Sequence, residues 1–272
     1  MPKTWKPRSS SLAGYMYCQA RAAYDRALAV GDMEPAPAGE RDTKYADLGT
    51  MIHLALQQGL GCVFDHAPDP IDEATAKSAA KLFGDDLTRL NSAVLAAAAA
   101  GKSAMPQAPD GKPWRAEVAA KSRFLTGHID FLSQDGTVLI DLKTTSRKPD
   151  HNRVKGEHFL QMLAYKMLVP SITSAHILYV DAQQARWTLL SPPINFGPGS
   201  EAEAQLAPLL TFLKRIRAKK IYQTAIAAPG GHCAGCFCPH TAICKDALIP
   251  PPGVTVDFTA PSTAPMVQEV FP

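Results

Sequence analysis

The chain has 272 residues, 46% of them hydrophobic and 19% charged, enough for one large domain or two small ones with a full core. That excludes a disordered protein or a disulfide-stapled miniprotein. Lysine and arginine outnumber aspartate and glutamate by 28 to 25, and this formal charge of +3 permits a local basic groove without announcing nucleic-acid binding through bulk charge. Six cysteines stand out by placement: Cys233, Cys236, Cys238 and Cys244 fall within twelve residues, while Cys18 and Cys62 stand apart.

The N-terminal residues carry no apolar segment of signal-peptide length, and no run of about 18 apolar residues follows that would cross a bilayer. The expectation is a soluble, cytoplasmic chain without membrane attachment, its thiols free or metal-bound.

In chain order, Ser9, Ser10 and Ser11 precede apolar residues at helical spacing (Leu12, Tyr15, Met16, Ala20, Ala23, Ala27), which places Cys18 on an N-terminal helix. A second helix is expected over 45–59, with Leu48, Ile52 and Leu56 buried and His53 beside them. A third covers 71–100, broken near Gly84. The period then changes to strands over 116–125, 127–132 and 137–143, the last two joined by Gln134-Asp135-Gly136, a hairpin signal. A helix over 156–168, strands at 175–181 and 186–190, and an amphipathic helix over 201–222 lead into the cysteine loop. The last 23 residues hold six prolines against 17 in the preceding 249, so 248–272 reads as an extended or disordered tail behind a domain spanning 1–247. The expected class is α/β: a mixed central sheet flanked by helices, with a helical N-terminal part and a C-terminal cysteine-cluster loop.

The chemistry concentrates in Gly127-His128-Ile129-Asp130 and Ile140-Asp141-Leu142-Lys143. Side chains alternate along a strand, so Asp141 and Lys143 share a face while Leu142 turns to the core with Ile140. Hairpin pairing brings Asp130 alongside, and two carboxylates suit a hard divalent cation, Mg2+ or Mn2+. Taken alone, Asp-Leu-Lys is a common tripeptide and reads as a surface ion pair worth at most about 1 kcal/mol. Gln161 and Tyr165, four apart on the next helix, add to it, since they share one face and point toward the same groove.

Gly127-x-x-Asp130, Asp141-x-Lys143 and Gln161-x-x-x-Tyr165, on a strand pair followed by a helix, resemble the core of the PD-(D/E)XK nuclease superfamily, which has a restriction-endonuclease-like fold. More closely they resemble its RecB-like exonuclease branch, which includes the nuclease domain of AddB and RecB-like CRISPR-associated exonucleases. Leu48-Gly49-Thr50-Met51-Ile52-His53 is similar to that branch's upstream histidine motif, with Gly49 leaving room for close approach. The resemblance covers most of 9–245. It implies His53, Asp130 and Asp141 as metal ligands, Lys143 as the catalytic lysine, and Gln161 and Tyr165 as substrate-orienting residues. Glu117, a further acid that either joins the site or faces solvent, stays outside this set.

The same branch includes members with a four-cysteine iron–sulfur cluster joining an N-terminal cysteine to a late C-x2-C-x5-C group. Cys238 and Cys244 have the x5 spacing, but Cys236 is one residue too close to Cys238 and Cys233 two too far. The resemblance implies Cys18, Cys233, Cys238 and Cys244 as ligands of a 4Fe-4S cluster, with Cys236 competing. The alternative is Zn2+ held by Cys233, Cys236, Cys238 and Cys244 alone. Cys62 is expected to be a buried structural cysteine.

The function that follows is a metal-dependent DNA nuclease, an exonuclease working on DNA ends or single strands in repair or recombination. Arg147, Lys148, Arg153 and Lys155, and Lys214, Arg215, Arg217, Lys219 and Lys220, are candidates to track a phosphate backbone. Two rivals are a catalytically silent nucleic-acid-binding module built around a zinc site, and a subunit recruited to a protein partner through Val270 and Phe271 in the tail.

Overall fold

The computed structural model describes residues 5–31, 43–65, 67–150 and 154–217. Cys233, Cys236, Cys238, Cys244 and the proline-rich tail lie outside the described residues, as do Arg153, Lys219 and Lys220. Helices α1 (Leu12–Tyr17) and α2 (Gln19–Val30) open the chain, followed by α3 (Lys44–Gly59), α4 (Glu73–Ala80) and α5 (Leu87–Ala104). Seven strands are β1 (Val63–Phe64), β2 (Arg115–Lys121), β3 (Thr126–Leu132), β4 (Val138–Thr145), β5 (Ser174–Asp181), β6 (Thr188–Leu190) and β7 (Ile194–Asn195); α6 (Gly156–Leu168) and α7 (Glu201–Ile216) complete the list.

Two departures from the expected helices have local causes. The N-terminal helix is two helices, because Cys18 is extended (φ −144°, ψ 101°) and separates them. Cys18 therefore sits at a break, and Arg21 packs across Gly14, where a Cβ would meet its guanidinium at 2.5 Å. The helix expected over 71–100 divides where Gly84 and Asp85 take left-handed backbone (φ +70° and +62°). Asp86 then caps α5 by accepting from the Thr88 and Arg89 amides.

The strands form one mixed sheet in the order β1-β2-β3-β4-β5-β6, with β7 sharing the outer edge of β5. The β2-β3-β4 segment is antiparallel, and β4 and β5 are parallel because α6 crosses between them. β1 and β7, two residues each, are too short for alternation to reveal in the sequence. One face packs on α1, α2, α6 and α7 through residues such as Leu12, Ile129, Leu139 and Leu163. The other packs on α3, α4 and α5 through Leu48, Ile52, Leu90, Phe131 and Leu142. Among the described residues no helix is long and apolar enough to cross a membrane.

What positions the site is a split in the middle of the sheet. β3 pairs with β2 along its length, and β4 pairs with β5 from Val138 to Thr145. Between β3 and β4, however, only Phe131↔Ile140 and Leu132↔Leu139 are paired. Beyond them the strands diverge, with Asp130 and Asp141 as the first residues past the last pair.

Candidate active site

At the split, the Asp130 carboxylate takes the role of the missing ladder acceptor and receives the Leu142 amide at 2.7 Å. Asp141 is fully buried rather than emerging on the surface, and its Oδ2 lies 2.6 Å from the Lys143 ammonium. That ion pair takes up Asp141 Oδ2. The Gln161 amide donates to the other oxygen of Asp141 at 3.2 Å and to the Tyr165 hydroxyl at 2.7 Å. That hydroxyl in turn donates to the His128 carbonyl at 2.6 Å. Tyr165 is 2% exposed, so its phenol is committed to holding β3 and Gln161 rather than lying free in a groove. Gly127 makes this possible, since a Cβ there would meet the Tyr165 ring at 3.1 Å and Ser9 Oγ at 2.5 Å.

From the other side α3 presents His53, whose Nδ1 is 3.8 Å from Asp130 Oδ2. Gly49, one turn earlier, lets the helix approach β4: a Cβ there would meet Thr144 Oγ1 at 2.8 Å. His53 lines a cavity of about 890 Å³ together with Gln57, Glu117, Asp130, Lys143 and Thr144.

Glu117 is the residue the sequence reading left out. It lies on β2 at the position facing Asp130, between the pairs Ala116↔Phe131 and Val118↔Ile129. Its backbone is left-handed (φ +52°), an uncommon state for a non-glycine residue and a costly one within a strand. The twist aims its carboxylate into the cavity, where Gln57 donates to it at 2.7 Å. Donor atoms of His53, Glu117 and Asp130 then lie within 4.8 Å of one another.

Burial sets the proton inventory. It lifts Asp130 to about 6, aided by Glu117 and opposed by Lys143 and the Leu142 amide. It lifts Asp141 to about 6 as well, with Lys143 opposing and Asp130 reinforcing. Burial and then Lys143 depress His53 to about 4, which keeps its imidazole neutral with a lone pair free. For Lys143 burial works against the charge, but Asp141 and Asp130 outweigh it and the ammonium is held above its ordinary value. A neutral imidazole and the clustered carboxylates of Glu117 and Asp130 together fit a divalent cation.

Other expectations fall differently. Arg147, Lys148, Lys155, Lys214 and Arg215 are exposed, but Arg217 is half-buried over the Phe124 ring, with its Nε buried and without a hydrogen-bond partner. Cys62 is half-buried rather than buried, and burial raises its thiol to about 11. Cys18 is buried and free.

A mixed sheet split over two aspartates and a lysine, covered by helices on both faces, defines a restriction-endonuclease-like fold bearing an acid-and-lysine site. The chain belongs to the PD-(D/E)XK nuclease superfamily, whose family model matches residues 9–245. Membership implies metal-dependent phosphodiester hydrolysis, and the His53, Glu117 and Asp130 cluster is a candidate site for that metal. Among solved structures, the chain is similar to a phage-related exonuclease from Haemophilus somnus 129PT at 14% identity, over 81% of this chain and 97% of that one (TM-score 0.37). It is also similar to SSO0001 at 13% identity, over 74% and 96% (TM-score 0.33). Among curated proteins, none matches.

Proposed function

We propose that the chain is a Mg2+- or Mn2+-dependent deoxyribonuclease, an exonuclease of the RecB-like branch that processes DNA ends or single strands in the cytoplasm. The observation that carries this reading is the convergence of His53, Asp130, Asp141 and Lys143 where β3 and β4 part. When bound, the cation polarises the phosphodiester and acidifies water. His53, Asp130 and Asp141 hold it, and Glu117 adds a further oxygen. Lys143 remains protonated and offsets negative charge as the water oxygen bonds to phosphorus and the bond to the leaving oxygen breaks. The water gives up one proton and the leaving alcohol gains one. Gln161 and Tyr165 act as positioning residues, the amide orienting Asp141 and the phenol anchoring the amide.

The test is cleavage of single- and double-stranded DNA with Mg2+ or Mn2+. Asp141→Ala and Lys143→Ala are expected to lose at least about a hundredfold in rate. Parent and variants of equal activity would leave the silent binding module as the better reading.

A second centre belongs to the same proposal: Cys18, Cys233, Cys238 and Cys244 bind a 4Fe-4S cluster that ties the N-terminal helices to the late loop. Support comes from the count and type of ligands and from Cys18, a buried free thiol set at a helix break. Protein purified without oxygen should be coloured. A colourless protein retaining zinc would transfer the site to Cys233, Cys236, Cys238 and Cys244. The tail, with Val270 and Phe271, is the segment offered to a protein partner, and its removal should abolish such capture without altering nuclease activity.

A further inference from the structure

The parting of β3 from β4 frees the edge of β3 before Phe131, and the N-terminal segment closes part of it. The Thr126 amide donates to the Pro7 carbonyl at 3.1 Å, and Arg8 bridges Thr126 in parallel. Lys6 fixes the same segment by donating to the Ser122 carbonyl at 2.6 Å. What remains between this segment and the acids is a cavity of about 570 Å³, with Asp130, Gln161 and Tyr165 on its inner side and Arg8, Ser10 and Lys121 at its mouth. Ala119, His128 and Asp130 line both this cavity and the larger one holding His53, Glu117 and Lys143. A ligand lying over Asp130 therefore reaches both.

The two cavities differ in charge. The larger holds Asp69, Glu117 and Asp130 against Lys143, whose charge Asp141 already meets. At the smaller, Arg8 and Lys121 are exposed cations on either side of Thr126, and Asp130 is the one acid in the lining. Polyanion next to the acids is repelled unless a cationic group takes it up, and these two residues stand within that reach. Size narrows the ligand: a volume of this order suits a molecule of small-ligand size, within about 300–1,000 Å³.

We propose that Arg8 and Lys121, assisted by the Ser10 hydroxyl, form a phosphate subsite for the bound DNA strand, at the Thr126 end of β3 and four residues along the strand from Asp130. The subsite rests on the nuclease reading above.

The experiment compares the parent with the double variant Arg8→Gln/Lys121→Gln; both positions are exposed, and matching thermal midpoints confirm the fold. Binding of a fluorescein-labelled single-stranded oligonucleotide is followed by anisotropy in chelator across a salt series. Losing two phosphate contacts should reduce the slope of log K against log salt by about 1.4, at about 0.7 per contact on a single strand. With Mn2+, kcat/KM on the same strand should fall at least tenfold. Hydrolysis of bis(4-nitrophenyl) phosphate, a single diester too short to span both cavities, should not change. An unchanged salt slope overturns the subsite, whatever the activity. A reduced slope in a chain whose parent cleaves neither substrate upholds the subsite as a strand-binding element and overturns the nuclease reading instead.

Discussion

Glu117 gives the sharpest test of how the site is built. Left-handed backbone costs an ordinary L-residue about 1–2 kcal/mol, and glycine escapes that cost. In an ordinary strand the order is reversed, and glycine is about 0.5–1 kcal/mol worse than alanine. Both Glu117→Gly and Glu117→Ala remove the carboxylate and the Gln57 hydrogen bond, so those losses cancel between them. The difference isolates the φ of +52°, and Glu117→Gly should be the more stable by about 0.5–1 kcal/mol. Urea unfolding in chelator, at common slope, measures it. Repeating the titration with Mn2+ then tests the carboxylate, because a cation that binds only the folded chain raises stability by RT ln(1 + [L]/Kd). Both variants should gain less from Mn2+ than the parent. If alanine is the better residue by the amount usual in a strand, the strain argument fails; if the Mn2+ gain is the same in all three proteins, Glu117 is no ligand.

Three further outcomes follow from the geometry. Tyr165→Phe takes the hydroxyl donor from the His128 carbonyl and leaves the Gln161 amide with Asp141 alone, and it should cost about 1–3 kcal/mol in urea, with a lower kcat; unchanged stability would mean that the hydroxyl pairs with solvent. Gly127→Ala drives a methyl against the Tyr165 ring, Leu168 and Ser9 and should cost about 1–3 kcal/mol, whereas Gly59→Ala, with open space around it, should not. Asp130 and Asp141, raised to about 6, must shed protons to ligate, while His53, depressed to about 4, is already neutral. Affinity for Mn2+ by calorimetry should therefore be level above pH 7 and fall as pH drops through 6, approaching about tenfold per unit for each carboxylate. A flat profile down to pH 5 would refute the assignment of these acids as ligands.

Much of this was legible in the chain. The helix over Gly156–Leu168 and the Asp135-Gly136 hairpin carry strong local signals, and period-two alternation placed Asp141 with Lys143. Four-residue spacing put Gln161 and Tyr165 on one face, but spacing is silent on whether a hydroxyl points to solvent or to the His128 carbonyl. The place of Glu117 opposite Asp130 follows once β2 is ended at Lys121. A strand extended to residue 125 hid that register, and no residue pattern encodes a left-handed glutamate. The break at Cys18 escaped for a similar reason, since helical spacing continues across it.

The parting of β3 and β4 also decides what holds the two aspartates at their spacing. Asp130 lies on the ladder that β3 makes with β2 and Asp141 on the one that β4 makes with β5, and between β3 and β4 the ladder holds only two residue pairs. Across the gap the two ladders are joined by side chains instead, the Asp130 carboxylate taking the Leu142 amide and Tyr165 linking the His128 carbonyl through Gln161 to Asp141, so α6 helps to set the spacing of the two acids.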